Sequence, residues 1–178
     1  MRYLIIALLG LCMVSCGGEN KKETKEDFVE SFKQYEDSIK ADGNALIDSK
    51  KGVEYAEKCL EISHKFPKDK DAPKYMDKAH MIFAGLGLHG RSVALADSII
   101  LMYPMYENRA MVLQSAATTY DMLILPRKKD KVKKYYGMLL KENPKMPVEQ
   151  RKDIEFRLEH IDLTFEEMIE LQQPKKPA

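Results

Sequence analysis

The sequence predicts an all-α array of antiparallel helix pairs, about three pairs closed by a C-terminal capping helix. Three observations predict it. From Phe28 onward apolar residues recur at spacings of three and four, the period of one buried helix face, and no stretch alternates as a half-buried strand would. Three prolines, Pro67, Pro104 and Pro144, end successive long helix pairs at intervals of 37 and 40 residues. Fixed positions before them are apolar or aromatic each time: Ile62, Ile99 and Leu139 stand five before, and Cys59, Ala96 and Tyr136 eight before. Units that repeat in this way can bury their stripes only against their neighbours, so they stack.

Ahead of the array, Met1 and Arg2 are followed by an apolar run from Tyr3 to Val14 and then Ser15-Cys16-Gly17-Gly18. One positive charge, about a dozen apolar residues and a small residue at the break are the zones of a secretory signal peptide. The run is shorter than the ~20 apolar residues of a bilayer-spanning helix. Met13-Val14-Ser15-Cys16 resembles the lipobox of bacterial lipoproteins. The resemblance implies that residues 1–15 are a removable signal peptide and that Cys16 becomes the N-terminus, carrying diacylglyceryl and an amide-linked acyl chain. Gly17 stands where Asp would favour inner-membrane retention in characterised lipoproteins, which implies an outer-membrane address. With Glu19 the only acid close behind Cys16, a surface-export pattern is not evident and the periplasmic face is expected. Residues 16–27 then read as the lipidated Cys and a flexible tether, since Gly17 to Asp27 offers no apolar side chain to bury.

The helical domain is expected over residues 28–171. Phe28, Phe32, Tyr35 and Ile39 share one face of a first helix that Gly43 can end. A second, from Asn44 or Asp48 to Lys65, carries Val53, Ala56, Leu60 and Phe66. The third starts after Asp71, with Pro73 tolerated in its first turn, and buries Met76, Ala79, Phe83 and Leu86. Val93, Ala96, Ile100 and Tyr103 mark the next; Ala110, Leu113, Ala117, Tyr120 and Ile124 another; and Val132, Tyr136, Leu139 and Leu140 a sixth. Ile154, Leu158 and Ile161 mark a seventh. Thr164-Phe165-Glu166-Glu167 is a capping box, so a short last helix holding Phe165, Met168 and Ile169 begins there. Residues 172–178, rich in Gln, Pro and Lys, read as a disordered tail.

The spacing and the aromatic-proline endings resemble the tetratricopeptide repeat. Residues 114–173 resemble more closely the last repeats of tetratricopeptide outer-membrane lipoproteins of the β-barrel assembly machinery and the related Tol-Pal coordinator family. The residues that carry this are Tyr120-Asp121, the run Asp130 to Tyr136, Asn143-Pro144, and the closing stretch Leu163 to Ile169. The position twelve before each proline, small in that repeat, holds Tyr55, Ser92 and Val132 here.

Composition narrows the function classes. Loss of residues 1–15 removes Arg2 alone from 29 basic residues and none of the 28 acidic ones, so the remaining side chains are formally balanced. That argues against a nucleic-acid partner, which selects a basic surplus. With Cys12 in the leader and Cys16 lipidated, Cys59 stands alone and reads as a small buried hydrophobe. Gly85-Leu86-Gly87-Leu88-His89-Gly90 satisfies G-x-G-x-x-G, but a helix pattern precedes it where the dinucleotide fingerprint requires a strand, so it reads as a turn between helices. His64, His80, His89 and His160 share no ligand spacing and read as surface or helix-end residues. Arg127, Lys128, Lys129, Lys131, Lys133 and Lys134 form a basic cluster; contact with anionic headgroups, peptidoglycan carboxylates or an acidic partner competes with a plain solvated loop. No catalytic, metal or cofactor motif emerges, and no cofactor is expected.

The expected function is therefore a membrane-anchored scaffold or adaptor that binds envelope proteins or peptides. In helix-pair arrays of this kind the first helix of each pair lines the inner curve, which makes Lys74, Lys78, Met81, Met111 and Ser115 the groove candidates. A surface or periplasmic glycan- or peptidoglycan-binding lipoprotein is the alternative, although there is no Trp and most Tyr and Phe fall at repeat positions. An accessory envelope enzyme is a third class, and no acid-base constellation supports it.

Overall fold

Each proline that punctuates the sequence forms the same turn. The residue before it closes the preceding helix: Phe66, Tyr103 and Asn143 donate to the carbonyls of Ile62, Ile99 and Leu139 at 3.0, 2.9 and 3.1 Å. The carbonyl of that same residue then accepts from the third residue on, so Asp69, Tyr106 and Met146 donate to Phe66, Tyr103 and Asn143 at 3.0, 3.1 and 3.1 Å. Proline at the second position of such a turn has its φ already set and has no N–H to lose. The computed structural model describes residues 24–41 and 49–172, and among these it is all-helical. The helices are α1 Lys25–Ala41, α2 Ser49–Lys65, α3 Ala72–Gly85, α4 His89–Met102, α5 Arg109–Met122, α6 Lys129–Glu142, α7 Val148–Glu159 and α8 Phe165–Gln172. The leader, Cys16, Gly43 and residues 173–178 lie outside the described residues.

The helices stack as a tetratricopeptide-like array of antiparallel pairs. Extensive packing runs between neighbours in sequence, α2 on α3, α3 on α4, α4 on α5 and α5 on α6. Contacts one repeat apart tie the pairs into two layers. In the first layer Phe32 of α1 meets Tyr75 of α3 edge-on at 5.5 Å, His80 of α3 reaches Ser115 of α5 at 3.0 Å, and Gln150 of α7 donates to Gln114 of α5 at 2.9 Å. In the second, Arg91 of α4 pairs with Glu57 of α2, and Lys131 of α6 with Asp97 of α4 at 2.7 Å. The positions five, eight and twelve before each proline are all buried: Ile62, Ile99 and Leu139; Cys59, Ala96 and Tyr136; Tyr55, Ser92 and Val132. One continuous core runs from Phe32 to Ile161. Burial pushes the Cys59 thiol up to about 12, which keeps it protonated and inert.

Three boundaries differ from the sequence reading. Helix α1 begins at Lys25, so residues 25–27 belong to the domain and not to the tether. The cause is a capping box: the Asp27 N–H donates to Thr24 Oγ1 at 3.2 Å while the Thr24 N–H donates to Asp27 Oδ2 at 3.1 Å. At the other end α8 takes in Gln172, which the tail was expected to contain. Leu86 ends α3 and stays half-buried instead of joining its buried face. The second capping box forms as expected, with the Glu167 N–H on Thr164 Oγ1 at 3.2 Å and the Thr164 N–H on Glu167 Oε2 at 2.7 Å. Gly85 to Gly90 is the α3–α4 turn. Gly87, at φ +73°, donates to the Ala84 carbonyl while Leu88 donates to that of Phe83, the paired bonds of a Schellman ending that needs a left-handed residue there. Among the described residues no helix is long and apolar enough to cross a membrane.

Candidate functional site

Helix α3 has two faces. Met76, Ala79, His80 and Phe83 turn into the core, which leaves Lys74, Asp77, Lys78 and Met81 on the side shared with α1 and the α4–α5 turn. There they border a groove of about 740 Å³ together with Glu36, Tyr55, Ile82, Leu86 and Tyr106. Met81 is the main apolar side chain open to it, 55 % exposed. Charged groups on the rim are paired. Lys78 Nζ lies 2.5 Å from Glu36 Oε1, which also accepts from the Tyr55 hydroxyl. Burial alone would raise the Glu36 carboxyl, but these two donors and the Lys78 charge hold it at about 2. Lys74 Nζ stands 3.4 Å from both Asp71 and Glu107, and the Tyr106 hydroxyl donates to Asp77 Oδ2 at 2.9 Å. Ion pairs this exposed add little stability; they hold long side chains along the walls.

Three of the five groove candidates, Lys74, Lys78 and Met81, therefore meet in one groove. Met111 does not reach it. It is 65 % exposed over an adjacent hollow of about 530 Å³ that α5 forms with the α6–α7 turn, Met146 and Gln150. Ser115 is only half-buried, but its hydroxyl is engaged with His80 Nε2 at 3.0 Å.

His80 corrects the sequence reading of the histidines. It is fully buried, with Nδ1 2.9 Å from both the carbonyl and the hydroxyl of Ser92. With Nδ1 bonded to Ser92 of α4 and Nε2 to the Ser115 hydroxyl of α5, one ring joins α3, α4 and α5. Burial pushes its pKa below the usual histidine value, against an opposing effect of that carbonyl and of Asp77. His64 is exposed, His89 opens α4 and His160 ends α7, as expected.

The basic cluster is likewise partly structural. Lys129 pairs with Asp162 at 2.9 Å and Lys131 with Asp97 at 2.7 Å, and the Tyr120 hydroxyl donates to the same Asp97 at 2.9 Å. Arg127 pairs with the buried Asp121 carboxylate and donates to the Leu163 carbonyl at 2.9 Å. Asp121 is held from its other side by a two-point bridge from Arg157, at 2.5 and 2.7 Å. Lys128, Lys133 and Lys134 are left as the cluster's exposed charges.

Glu36, Tyr55, Asp77 and Tyr106 were not anticipated as groove residues. Their partners lie 19 to 42 positions away, so only the repeat register could have pointed to them. Among the described residues no group of three or more His, Cys, Asp or Glu side chains is placed to hold a metal ion. No protein-family model, curated protein or solved structure matches the chain.

Proposed function

We propose that this chain is a membrane-anchored helical-repeat adaptor, held by lipid on Cys16 at the periplasmic face of the outer membrane, whose groove receives protein partners of cell-envelope or outer-membrane biogenesis. The observation that carries the reading is the groove beside α3, where Met81, Ile82 and Leu86 lie between walls of paired charges. An apolar floor with a polar rim suits a protein segment, and methionine repacks around varied side chains. Glu36 is held ionised by its partners, which suits recognition better than proton transfer. The lipobox-like Met13-Val14-Ser15-Cys16 supports the anchor, and anchoring raises the effective concentration of the groove near envelope machinery. A likeness to the tetratricopeptide lipoproteins of barrel assembly and to the Tol-Pal coordinators supports the choice of partner class.

The test is site-specific photo-cross-linking in the envelope, with a photoreactive residue in place of Met81 in the full chain. Lys133, exposed on α6, supplies the comparison site. Barrel-assembly subunits captured from the Met81 position and not from Lys133 support the first likeness, and Tol-Pal or peptidoglycan-associated factors the second. Equal capture from both sites, or none from Met81, refutes the groove.

A further inference from the structure

The chain arriving from Cys16 enters the array at one particular edge. Lys25, at the start of α1, pairs with Asp69 in the α2–α3 turn, and the Phe28 ring packs on Phe66 of the same turn at 6.2 Å. Because successive helices are antiparallel, the α2–α3, α4–α5 and α6–α7 turns all lie on this edge, and the α3–α4 and α5–α6 turns lie opposite. Thr24 is eight residues on from Cys16, a span of at most about 29 Å. A lipid on Cys16 would thus be attached from the proline-turn edge, the edge at which the chain enters the array.

The edge has the side chains for that position. Leu101 and Met105 are 82 % and 93 % exposed, Met102 is exposed beside them and Val148 at the α6–α7 turn, and a hollow of about 700 Å³ opens between the α2–α3 and α4–α5 turns. Its acids are engaged: Asp69 with Lys25, and Asp71 and Glu107 with Lys74. Lys68, Lys70 and Lys145 are exposed and make no ion pair with any described residue. Apolar side chains at the tips of turns with cations around them match an anionic interface, where apolar groups sink roughly 5–10 Å and lysines meet phosphates.

We infer that this edge, centred on Leu101 and Met105 and flanked by Lys68, Lys70 and Lys145, rests on the anionic lipid surface and sets the array's orientation. The inference rests on the lipid anchor proposed above. The acyl chains supply residence on the membrane; the edge supplies direction. With the turns against the bilayer the helices stand upright, and the groove beside α3 opens sideways, along the membrane plane.

The test uses the full chain, expressed with its leader, recovered lipidated and reconstituted into phosphatidylethanolamine/phosphatidylglycerol vesicles. Met105→Cys and Leu125→Cys each receive an environment-sensitive fluorophore; Leu125, 88 % exposed in the α5–α6 turn, reports the opposite edge. Cys59 is buried and Cys16 acylated, so the introduced thiol alone is labelled. Quenching by brominated lipid is expected to be at least about threefold stronger at Met105, the difference between interfacial burial and solvent. Adding Lys68→Glu and Lys70→Glu to Met105→Cys should reduce it while the thermal melt stays unchanged. Vesicle-bound protein with equal quenching at both sites overturns this inference and leaves the anchor standing. Protein that stays in the aqueous layer overturns both.

Discussion

A single imidazole links three helices of the array, and it does so uncharged. His80 bonds to Ser92 through Nδ1 and to the Ser115 hydroxyl through Nε2, and burial lowers its pKa. In the unfolded chain the ring takes a proton near pH 6.5; in the folded array it does so only at lower pH. The unfolded state therefore binds more protons in that interval. Its contribution is whole above about pH 6.5 and declines as pH falls towards the folded value. Urea unfolding should show a stability loss between pH 7.5 and 5.5 that His80→Gln largely abolishes, at a cost of about 1–3 kcal/mol at pH 7.5 for imperfect replacement of the two bonds. The same acid-induced loss in both proteins would assign the effect to other groups. This histidine was the least legible residue of the candidate region. It lies beside Ala79 and three before Phe83, within the apolar stripe, but its partners are 12 and 35 positions away and come from other helices.

The elements fall into those the sequence specifies locally and those fixed by distant partners. Helices α2 to α6 belong to the first kind, because apolar periodicity sets their faces, the prolines set the ends of α2, α4 and α6, and Gly87 that of α3, so the repeat register is legible in the sequence. The start of α1 was legible too, as Thr24-x-x-Asp27, but the polar run before it resembled tether. The docking of the closing elements α7 and α8 belongs to the second kind. Their attachment depends on Asp121 of α5, whose carboxylate is buried between Arg127 and Arg157, while Arg157 also donates to the His160 and Leu163 carbonyls at 2.9 and 3.1 Å. Asp121→Ala would leave two guanidinium groups without their shared counter-charge, and a loss of about 3–5 kcal/mol is expected, seen as a lower denaturation midpoint. Arg127→Ala should cost less, because Asp121 keeps its two-point bridge to Arg157. The reverse order of the two variants would show that the carboxylate is not the centre of this lock.

For the whole molecule, the array and the segment before it make separable contributions. The repeats fold around their own core from Phe32 to Ile161, and no described helix can serve as a transmembrane anchor. Residence at a membrane is proposed to come from the lipid on Cys16 at the Ser15-Cys16 junction, each buried methylene adding about 0.8 kcal/mol. Changing Cys16→Ala removes the acceptor sulfur and leaves every described contact in place. The expected result is a full-length, uncleaved or soluble chain that melts like the wild type yet is absent from the outer-membrane fraction. Cross-linking from the Met81 position should fall in the same variant, because a groove released from the surface loses its effective concentration even though its shape is unchanged. A Cys16→Ala chain that still fractionates with the outer membrane at normal level and keeps its Met81 cross-link would mean that the partner, and not the lipid, holds the protein there. Retained fractionation with lost cross-linking would separate the two contributions in the opposite sense, placing the anchor elsewhere in the chain and making Cys16 a requirement for engagement of the groove's partner.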